Sequence, residues 1–504
     1  MATWSEKLLQ AVLLVWLAAS VIGLLKRKQP HTAVLKRSQH YLFILSLVYF
    51  FHLVFIAKSG FDSLYFGVYD FTGISSVVSG YLAGYNWLHS PFYVSPNGNI
   101  FFLAHHFSPA LALFSPFYLF FNSHLLYGYL LALVFLLFLL TLWIFLMPFD
   151  LGNMEKVLLF LGFLFYPVVY YQSISFHFEM LVLPFSMLLF RGLKTNNTIL
   201  LASSFLLLLA VKEDISLYFI FFSVYLATNR DYRKQGLWLL QASLVWFLFA
   251  NIWLLPNLSG ASSSFLSYWQ LGNTIPQAIA NIVTHPQIVA DAFLRKSDVL
   301  LRIFAPLLFM PLLNPKFSLL VFFPLLAIHF LSQHIFFGII EVYYSYTILP
   351  FILFATVENM QQSNLYLQKK IPHWPGLLLP LLLLYATVSA AAQKKSQPFL
   401  DFPAQKAGPL LQQAIEQIPA NATLHTGSYL LGHSKVRNKA LFYTDTSLPY
   451  QYLLFDSHKH PIQHDQNAEI EALLSKSKQF GKLVFANSRF SLYVIPGQFE
   501  HKFR

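Results

Sequence analysis

The sequence predicts an all-α polytopic membrane protein, with about 12 to 13 transmembrane helices and a small α/β domain at its C-terminal end. Of the 504 residues, 56% are hydrophobic and only 11% are charged, and the mean hydropathy is +0.55. Water-soluble domains are not this apolar. Long apolar runs recur along residues 8–391, and the composition becomes polar after residue 392. These runs are continuous rather than alternating, which excludes a β-barrel.

The predicted membrane domain covers residues 1–395 and consists of apolar segments close to the roughly 20 residues that cross a hydrocarbon core. The first segment is followed by Lys26, Arg27 and Lys28 instead of a small-residue cleavage site, so we expect it to remain as a span. The predicted spans are 8–25, 41–57, 125–147, 157–175, 178–190, 199–211, 215–227, 237–255, 299–313, 317–333, 336–356 and 375–391.

The basic residues of the short loops predict the orientation of the chain. Residues 101–121 are apolar but contain two prolines and two histidines, and we interpret them as interfacial or re-entrant. The Lys- and Arg-rich loops then share one side, which the positive-inside rule makes cytoplasmic. The loop 58–124 becomes extracytoplasmic, in a multi-pass protein of the cell inner (plasma) membrane. The further loops with this bias carry Lys36 and Arg37, Arg191 and Lys194, Arg230, Arg233 and Lys234, and Lys369 and Lys370.

The charge and the motifs exclude several classes of function. The net charge of +12 comes from Lys and Arg beside hydrophobic segments, which is typical of a protein in a lipid bilayer and not of a nucleic-acid surface. The chain has no cysteine, so disulfides and thiolate metal sites are excluded. The sequence contains no Walker loop, GxGxxG, GxSxG or HExxH motif, so nothing points to nucleotide-driven chemistry.

Residues 396–504 predict a soluble extracytoplasmic domain. Helices near 405–418 and 468–479 alternate with short apolar strands at TLHTG, ALFYT and YQYLLFD. The last segment, GKLVFANSRFSLYVIP, has the pattern of a strand pair. The domain is therefore expected to be of the α/β type.

Lys212, Glu213 and Asp214 lie between two apolar segments of 13 residues, 199–211 and 215–227. As helices these segments would be about 20 Å long, against a hydrocarbon core of about 30 Å, so we expect their tip to be recessed. Charges at this depth cost about 2.5–3.5 kcal/mol each unless they face water or each other. The sequence therefore favours a functional polar cavity, with a merely charged short loop as the alternative.

His177 and Glu179 form a second recessed tip, where a hydrogen-bonded turn at the interface is the alternative. In the outer loop 58–124, Asp70 suits a general base toward a hydroxyl, or a ligand of a divalent cation. An exposed loop aspartate is the plainer interpretation. Two short hairpins with ionisable residues on the same side nevertheless favour a shared site.

Three further polar residues lie on the predicted outer side. His105 and His106 precede Pro109 and Pro116, which would break or bend a helix, as in an irregular segment that lines a cavity. Tyr344 lies at the start of an outer helix, where tyrosine is usually part of the interfacial aromatic belt.

Together these motifs resemble a known family. From about residue 41 to 496 the chain resembles an uncharacterised prokaryotic family of multi-spanning "predicted membrane proteins", a domain of unknown function that looks like a branch of the GT-C glycosyltransferases. The motifs HFSP, FHxE and KED are the most specific. The segments that carry the resemblance are YDFTGI, HHFSPALALFSPFY, SFHFEMLVLPF, VKEDISLY, LLNPKFSLLVFFPLL, EVYYSYTILPF and IPANATLHTGSYLLGHSKVRNKALF.

The resemblance implies an enzyme that takes a sugar from a polyprenyl-phosphate donor and transfers it to an acceptor on the outer face of the membrane. Asp70 would be the catalytic carboxylate, assisted by His177 and Glu179. The identity of any cofactor is left open, and a divalent cation bound by these three residues is the candidate. Lys212 would face the lipid phosphate as a point charge. The residues expected to bind donor or acceptor are Lys212, His105, His106, Glu213, Asp214, Tyr344, His433 and Arg437.

The chain departs from the family's pattern at three points. Family members usually have DLGI where this chain has DFTG, beginning at Asp70. They have FHPE where this chain has FHFE, ending at Glu179, and they commonly have a histidine at the position of Tyr343. The missing histidine weakens any metal role that involves it. A transporter or flippase for a lipid-linked or anionic solute is the alternative function, although the chain lacks internal repeats. An assembly scaffold would leave the recessed charges unexplained.

Overall fold

The chain forms two compact units in a computed structural model. The first unit is Met1–His52 with Ala132–Ser396, and the second is Leu53–Leu131 with Gln397–Arg504. The predicted division into a membrane domain and a soluble domain at residue 395 stays a prediction. The structure describes residues 31–64, 68–95, 97–260, 271–272, 275–332, 343–371, 376–392, 407–427, 429–442, 451–457 and 467–497, so the predicted span 8–25 lies outside the described residues.

The described part of the first unit is helical, and two of its helices continue into the second unit. Its 3-10 segments are Phe178–Leu181, Arg230–Tyr232, Ala305–Leu307, Met310–Leu313 and Tyr343–Thr347, and its π segments are Leu248–Leu254 and Ser318–Phe322. The α-helices are His31–Asp62, Leu125–Leu146, Asn153–Phe165, Pro167–Ile174, Val182–Lys194, Thr198–Leu209, Ile215–Ala227, Arg233–Phe247, Leu255–Ser259, Ile275–Thr284, Pro286–Arg295, Ser297–Phe304, Pro315–Phe317, Phe323–Leu331, Leu349–Lys370 and Leu378–Ala392.

Fewer helices are long enough to cross a membrane than the sequence predicts. Among the described residues, Gln39–Asp62, Leu125–Leu146 and Arg230–Ser259 are long and apolar enough. A fourth crossing results if Asn153–Phe165 and Pro167–Ile174, which meet at a bend of 54°, count as one broken span. The other described apolar helices are shorter than the bilayer core requires.

Proline is one physical reason for this difference. The predicted span 299–313 contains Pro306 and Pro311, and the helix that begins at Ser297 gives way to short 3-10 segments there. Proline lacks the N–H that continues the helical hydrogen bonds, and its ring clashes with the preceding turn. A hydropathy profile counts apolar residues and does not detect these breaks.

A layer of phenylalanine rings fills the middle of the short helices in the first unit. Phe190 lies 5.4 Å from Phe222 and 4.8 Å from Phe354, measured between ring centroids. Phe351 lies 5.2 Å from Phe222 in the same way. All four rings are buried, and rings at these separations pack favourably beyond their area burial. The centre of this helix cluster is therefore apolar and filled.

The second unit contains a sheet of five described strands. Their order is β2-β1-β3-β5-β4, in which β1 pairs parallel with β2 and β3, and β5 pairs antiparallel with β3 and β4. The strands are β1 Thr423–Thr426, β2 Lys439–Phe442, β3 Tyr452–Asp456, β4 Lys482–Ala486 and β5 Phe490–Val494. Its described 3-10 segments are Gly80–Ala83, Phe102–Ala104, Pro109–Leu119 and Leu431–His433, and its π segment is Val68–Gly73. Its described α-helices are Ile74–Ser79, Ala407–Glu416 and Asn467–Phe480.

The core of this sheet includes a residue from the loop that is predicted to be extracytoplasmic. Leu64 packs with the buried face of helix Ala407–Glu416, represented by Leu411 and Ile415, and with Leu424 of β1. Burial of a leucine side chain contributes about 1.5–3 kcal/mol. The end of the long helix His31–Asp62 is therefore continuous with the hydrophobic core of the C-terminal residues.

Candidate functional site

Glu179 lies at the break between two helices. Helix Pro167–Ile174 ends, and Phe176 takes a φ of 48°, a left-handed conformation that costs a non-glycine residue about 1–2 kcal/mol. The 3-10 turn Phe178–Leu181 then leads into helix Val182–Lys194. This helix has only 13 residues, or about 20 Å, against a bilayer core of about 30 Å, and the recessed position of the turn stays a prediction.

Lys212, Glu213 and Asp214 form the second tip as predicted by segment length. They connect helices Thr198–Leu209 and Ile215–Ala227, of 12 and 13 residues. Asp214 is the N-cap residue of the second helix but makes no side-chain cap hydrogen bond. Its carboxylate is instead turned to other partners.

The two tips meet in a buried ion pair. Lys212 Nζ donates a hydrogen bond to Glu179 Oε1 at 2.7 Å, and Asp214 Oδ2 is 4.0 Å from the same Nζ. The other carboxylate oxygen of Glu179 contacts Nδ1 of His177. Glu179 is 0% exposed and Lys212 is 6% exposed. Two buried charges require such pairing, because the isolated charge is strongly disfavoured away from water.

Two tyrosines hold the carboxylate of Asp214. Tyr346 donates its hydroxyl to Asp214 Oδ2 at 2.6 Å, and Tyr218 donates to the same oxygen at 3.2 Å. The ring of Tyr346 also lies under the ammonium group of Lys212, 5.1 Å from ring centroid to Nζ, within the range of a cation–π contact. The site therefore fixes both the acid and the cation in place.

Glu213 is buried beside this cluster, and its backbone carbonyl accepts a hydrogen bond from Asn251 Nδ2 at 3.1 Å. Tyr344 lies two residues before Tyr346 in the 3-10 segment Tyr343–Thr347, and its carbonyl accepts from the Thr347 hydroxyl at 2.9 Å. The structure thus brings Glu213 to the tip and places Tyr344 in the segment that presents Tyr346.

The described residues do not form a ready metal centre. No group of three or more His, Asp or Glu side chains among them is arranged to hold a metal ion. Both oxygens of Glu179 already have partners, Lys212 and His177. The side chain of Asp70, the third candidate ligand, lies outside the described part of the structure. A metal role for these residues stays a prediction.

Asp70, His105 and His106 belong to the second unit. The backbone of Asp70 lies in the π-helical segment Val68–Gly73. The rings of His105 and His106 contact each other edge to face, with centroids 4.8 Å apart. His105 is exposed and His106 is half-buried. The following residues form a 3-10 helix, Pro109–Leu119, that is too short to cross a membrane.

The two predicted acceptor residues of the C-terminal part differ in exposure. Arg437 is exposed, whereas His433 is partly buried and its ring lies 4.0 Å from that of Phe61, between centroids. Burial is the main cause that lowers the pKa of His433 to about 3; a hydrogen bond with the backbone of Phe61 acts in the opposite direction, and the nearby His124 and Lys58 lower the pKa further. The ring of His433 therefore makes a packing contact with phenylalanine, and acceptor binding by His433 and Arg437 stays a prediction.

The lowered pKa of His433 predicts that the second unit loses stability in acid. The unfolded chain binds a proton near pH 6.5 and the folded state only near pH 3, so stability is lost as the pH falls below 6.5. Between pH 7.5 and pH 5 we expect the titration of His433 alone to lower the free energy of unfolding by roughly 2 kcal/mol. Hydrogen exchange of strand β1 at both pH values should show this loss, and His433→Gln should reduce it. An unchanged pH dependence in that variant would contradict the assignment.

Sequence reasoning missed the two tyrosines that bind Asp214. Tyr218 follows Asp214 by four residues, a helical spacing that places both on one face and could have identified it. Tyr346 is 132 residues away from Asp214, and no local pattern indicates that contact. Asn251 was missed for the same reason.

Comparison with known proteins gives one result. A family model described as "Predicted membrane protein (DUF2079)" matches residues 60–492. No curated protein and no solved structure matches the chain. The family match, together with the long apolar helices, confirms the prediction of a membrane protein. Because the match covers most of the 504 residues, the chain belongs to the family of predicted membrane proteins DUF2079.

Proposed function

We propose that this chain is a GT-C-type glycosyltransferase of the plasma membrane, which transfers a sugar from a polyprenyl-phosphate donor to an acceptor on the outer face. The observation that carries the proposal is the buried pair of Lys212 and Glu179 at the tips of short helices. In this proposal the membrane domain, residues 1–395, crosses the bilayer about 12 to 13 times, partly through short and broken helices. Residues 396–504 form the extracytoplasmic domain.

The geometry of Lys212 suits a phosphate. A lysine ammonium has three N–H donors, and the structure gives Lys212 one hydrogen bond shorter than 3.5 Å, to Glu179, among the described residues. Glu179 and the ring of Tyr346 hold the side-chain nitrogen of Lys212 in one orientation. In the proposed donor complex, phosphate oxygens would accept hydrogen bonds from its other N–H groups, and the fixed cation would stabilise the negative charge that develops on them.

The reaction would be a single displacement with inversion. Asp70, as the resemblance implies, accepts the proton of the acceptor hydroxyl. The acceptor oxygen forms a bond to the anomeric carbon, and the bond from that carbon to the phosphate oxygen breaks. The electron pair of this bond leaves with polyprenyl phosphate, where Lys212 neutralises it.

The distribution of charge supports an enzyme over the transporter alternative. The Glu179 cluster is at one end of the short helices, and Lys194 pairs with Glu358 at 2.8 Å further along the same elements. The four phenylalanine rings described above occupy the positions between them. A transport path needs a continuous series of polar groups near the midplane, whereas this layer is apolar.

Binding of polyprenyl phosphate to the purified full-length protein tests the donor assignment. Loss of a hydrogen bond to a charged group costs about 1.5–3 kcal/mol, so we expect Lys212→Ala to weaken binding by roughly 10- to 100-fold. Lys194→Ala is the matched control, since it also removes a lysine with a carboxylate partner from the first unit. It should leave binding unchanged.

Three outcomes separate the alternatives. Wild-type protein that fails to bind polyprenyl phosphate would overturn the lipid-linked donor. Equal losses in Lys212→Ala and Lys194→Ala would show a general effect of unfolding and overturn the role of Lys212. Binding that depends on Lys212 without any sugar transfer that depends on Asp70 would favour the flippase.

A further inference from the structure

The C-terminal residues are packed on both ends of the segment that carries Asp70. At the N-terminal end, Gly408 lies so close to Asp62 that an added Cβ would be 3.2 Å from the carbonyl oxygen of Asp62. Leu64 is part of the hydrophobic core of the sheet. These contacts fix the chain just before the segment Val68–Gly73.

At the other end, the 3-10 turn Leu431–His433 packs against Thr72. A Cβ added to Gly432 would be 2.5 Å from Oγ1 of Thr72, closer than carbon and oxygen atoms can approach. Thr72 is 1% exposed. The neighbouring ring of His433 lies 4.0 Å from that of Phe61, between centroids. Glycine is therefore required here by a close approach, and the contact lies two residues after Asp70.

The turn is itself held rigidly. Ser434 donates its hydroxyl to the carbonyl of Leu431 at 2.7 Å, which closes the turn. Asn438 donates its side-chain amide to the carbonyls of Pro419 at 2.7 Å and Ala422 at 3.2 Å. Ala422 directly precedes strand β1. The turn is therefore anchored to the sheet and can act as a fixed support.

We propose that the turn Leu431–His433 is a positioning element, which holds the Asp70-bearing segment in place through the contact of Gly432 with Thr72. This inference rests on the proposed function, in which Asp70 is the general base. It replaces acceptor recognition by His433 with mechanical support from the same turn. Misplacement of a catalytic group by about 1 Å can lower a rate by about 100-fold, so a displaced turn should affect transfer without affecting the donor.

Steric substitutions at the contact test this inference. Gly432→Ala adds a methyl group that collides with Oγ1 of Thr72 and should lower the rate of transfer by roughly 10- to 100-fold. Thr72→Ala removes the atom that collides, so the double variant should recover most of the rate. Thr72→Val keeps an atom of similar size at that position, so combining it with Gly432→Ala should give no recovery. The two Thr72 single variants are the controls.

A second measurement distinguishes an effect on the packing of the segment Val68–Gly73 from an effect on catalysis. Hydrogen exchange of the amides in Val68–Gly73 should accelerate in Gly432→Ala and return toward wild type only with Thr72→Ala. Binding of polyprenyl phosphate should be unchanged throughout. If transfer depends on Asp70 but Gly432→Ala leaves it unchanged, the inference is overturned and the proposed function stands. If the wild type shows no transfer that depends on Asp70, the proposed function is overturned instead.

Discussion

Asp70→Asn is expected to lower sugar transfer by about 100- to 10,000-fold, the range that a positioned general base contributes. The amide is nearly the same size as the carboxylate but cannot accept the proton of the acceptor hydroxyl. Transfer of a labelled sugar from a polyprenyl-phosphate donor to cell-envelope acceptors measures this effect. Binding of the donor should be retained, because Lys212 is unchanged.

Asp62→Asn is the matched control for this substitution. Asp62 lies in the same region of the chain, its side chain is 42% exposed, and it pairs with Lys58 one helical turn earlier. Exposed pairs of this kind contribute at most about 1 kcal/mol, so we expect transfer close to wild type. Retention of most activity in Asp70→Asn, or an equal loss in Asp62→Asn, would exclude Asp70 as the base.

Breaking the buried pair is expected to have the largest effect on stability. Lys212→Met or Glu179→Gln alone leaves an unmatched polar or charged group in a buried site, and such losses reach about 3–5 kcal/mol. The double variant removes both groups and should be less destabilised than the sum of the two single variants. Equilibrium unfolding in mixed micelles, arranged as a double-mutant cycle, measures the coupling.

The exposed pair of Arg302 and Asp298 provides the comparison. Their side chains are 55% and 63% exposed, at a hydrogen-bond distance of 2.7 Å. Removal of either partner should change the free energy of unfolding by less than about 1 kcal/mol. Additive effects of Lys212→Met and Glu179→Gln would mean that the two side chains do not stabilise each other.

The short helices around the charged tips could be predicted because they depend on local pattern alone. Segments 199–211 and 215–227 were expected, and the helices are Thr198–Leu209 and Ile215–Ala227. Charged residues interrupt the apolar runs at the point where the chain must turn. The strands of the C-terminal part could also be predicted from local pattern, because they are short apolar runs. Strand β1 at Thr423–Thr426 matches the expected TLHTG.

The partners of the site could not be predicted, because they come from distant elements. Tyr346 reaches Asp214 and Lys212 from a 3-10 segment more than 100 residues away. The contact of Gly432 with Thr72 joins residues 360 positions apart in sequence. Such contacts depend on tertiary packing, which neither periodicity nor hydropathy encodes.

The composition of the second unit from two distant segments has a consequence for biosynthesis. Residues 53–131 leave the ribosome long before residues 397–504, which complete their core. At roughly 5–20 residues per second, translation of the intervening chain and the sheet takes on the order of 20–70 s. During this time Leu64 has no finished core to enter. A chain interrupted before residue 397 would keep its membrane helices but expose this surface, which makes it a ready substrate for chaperones and proteases.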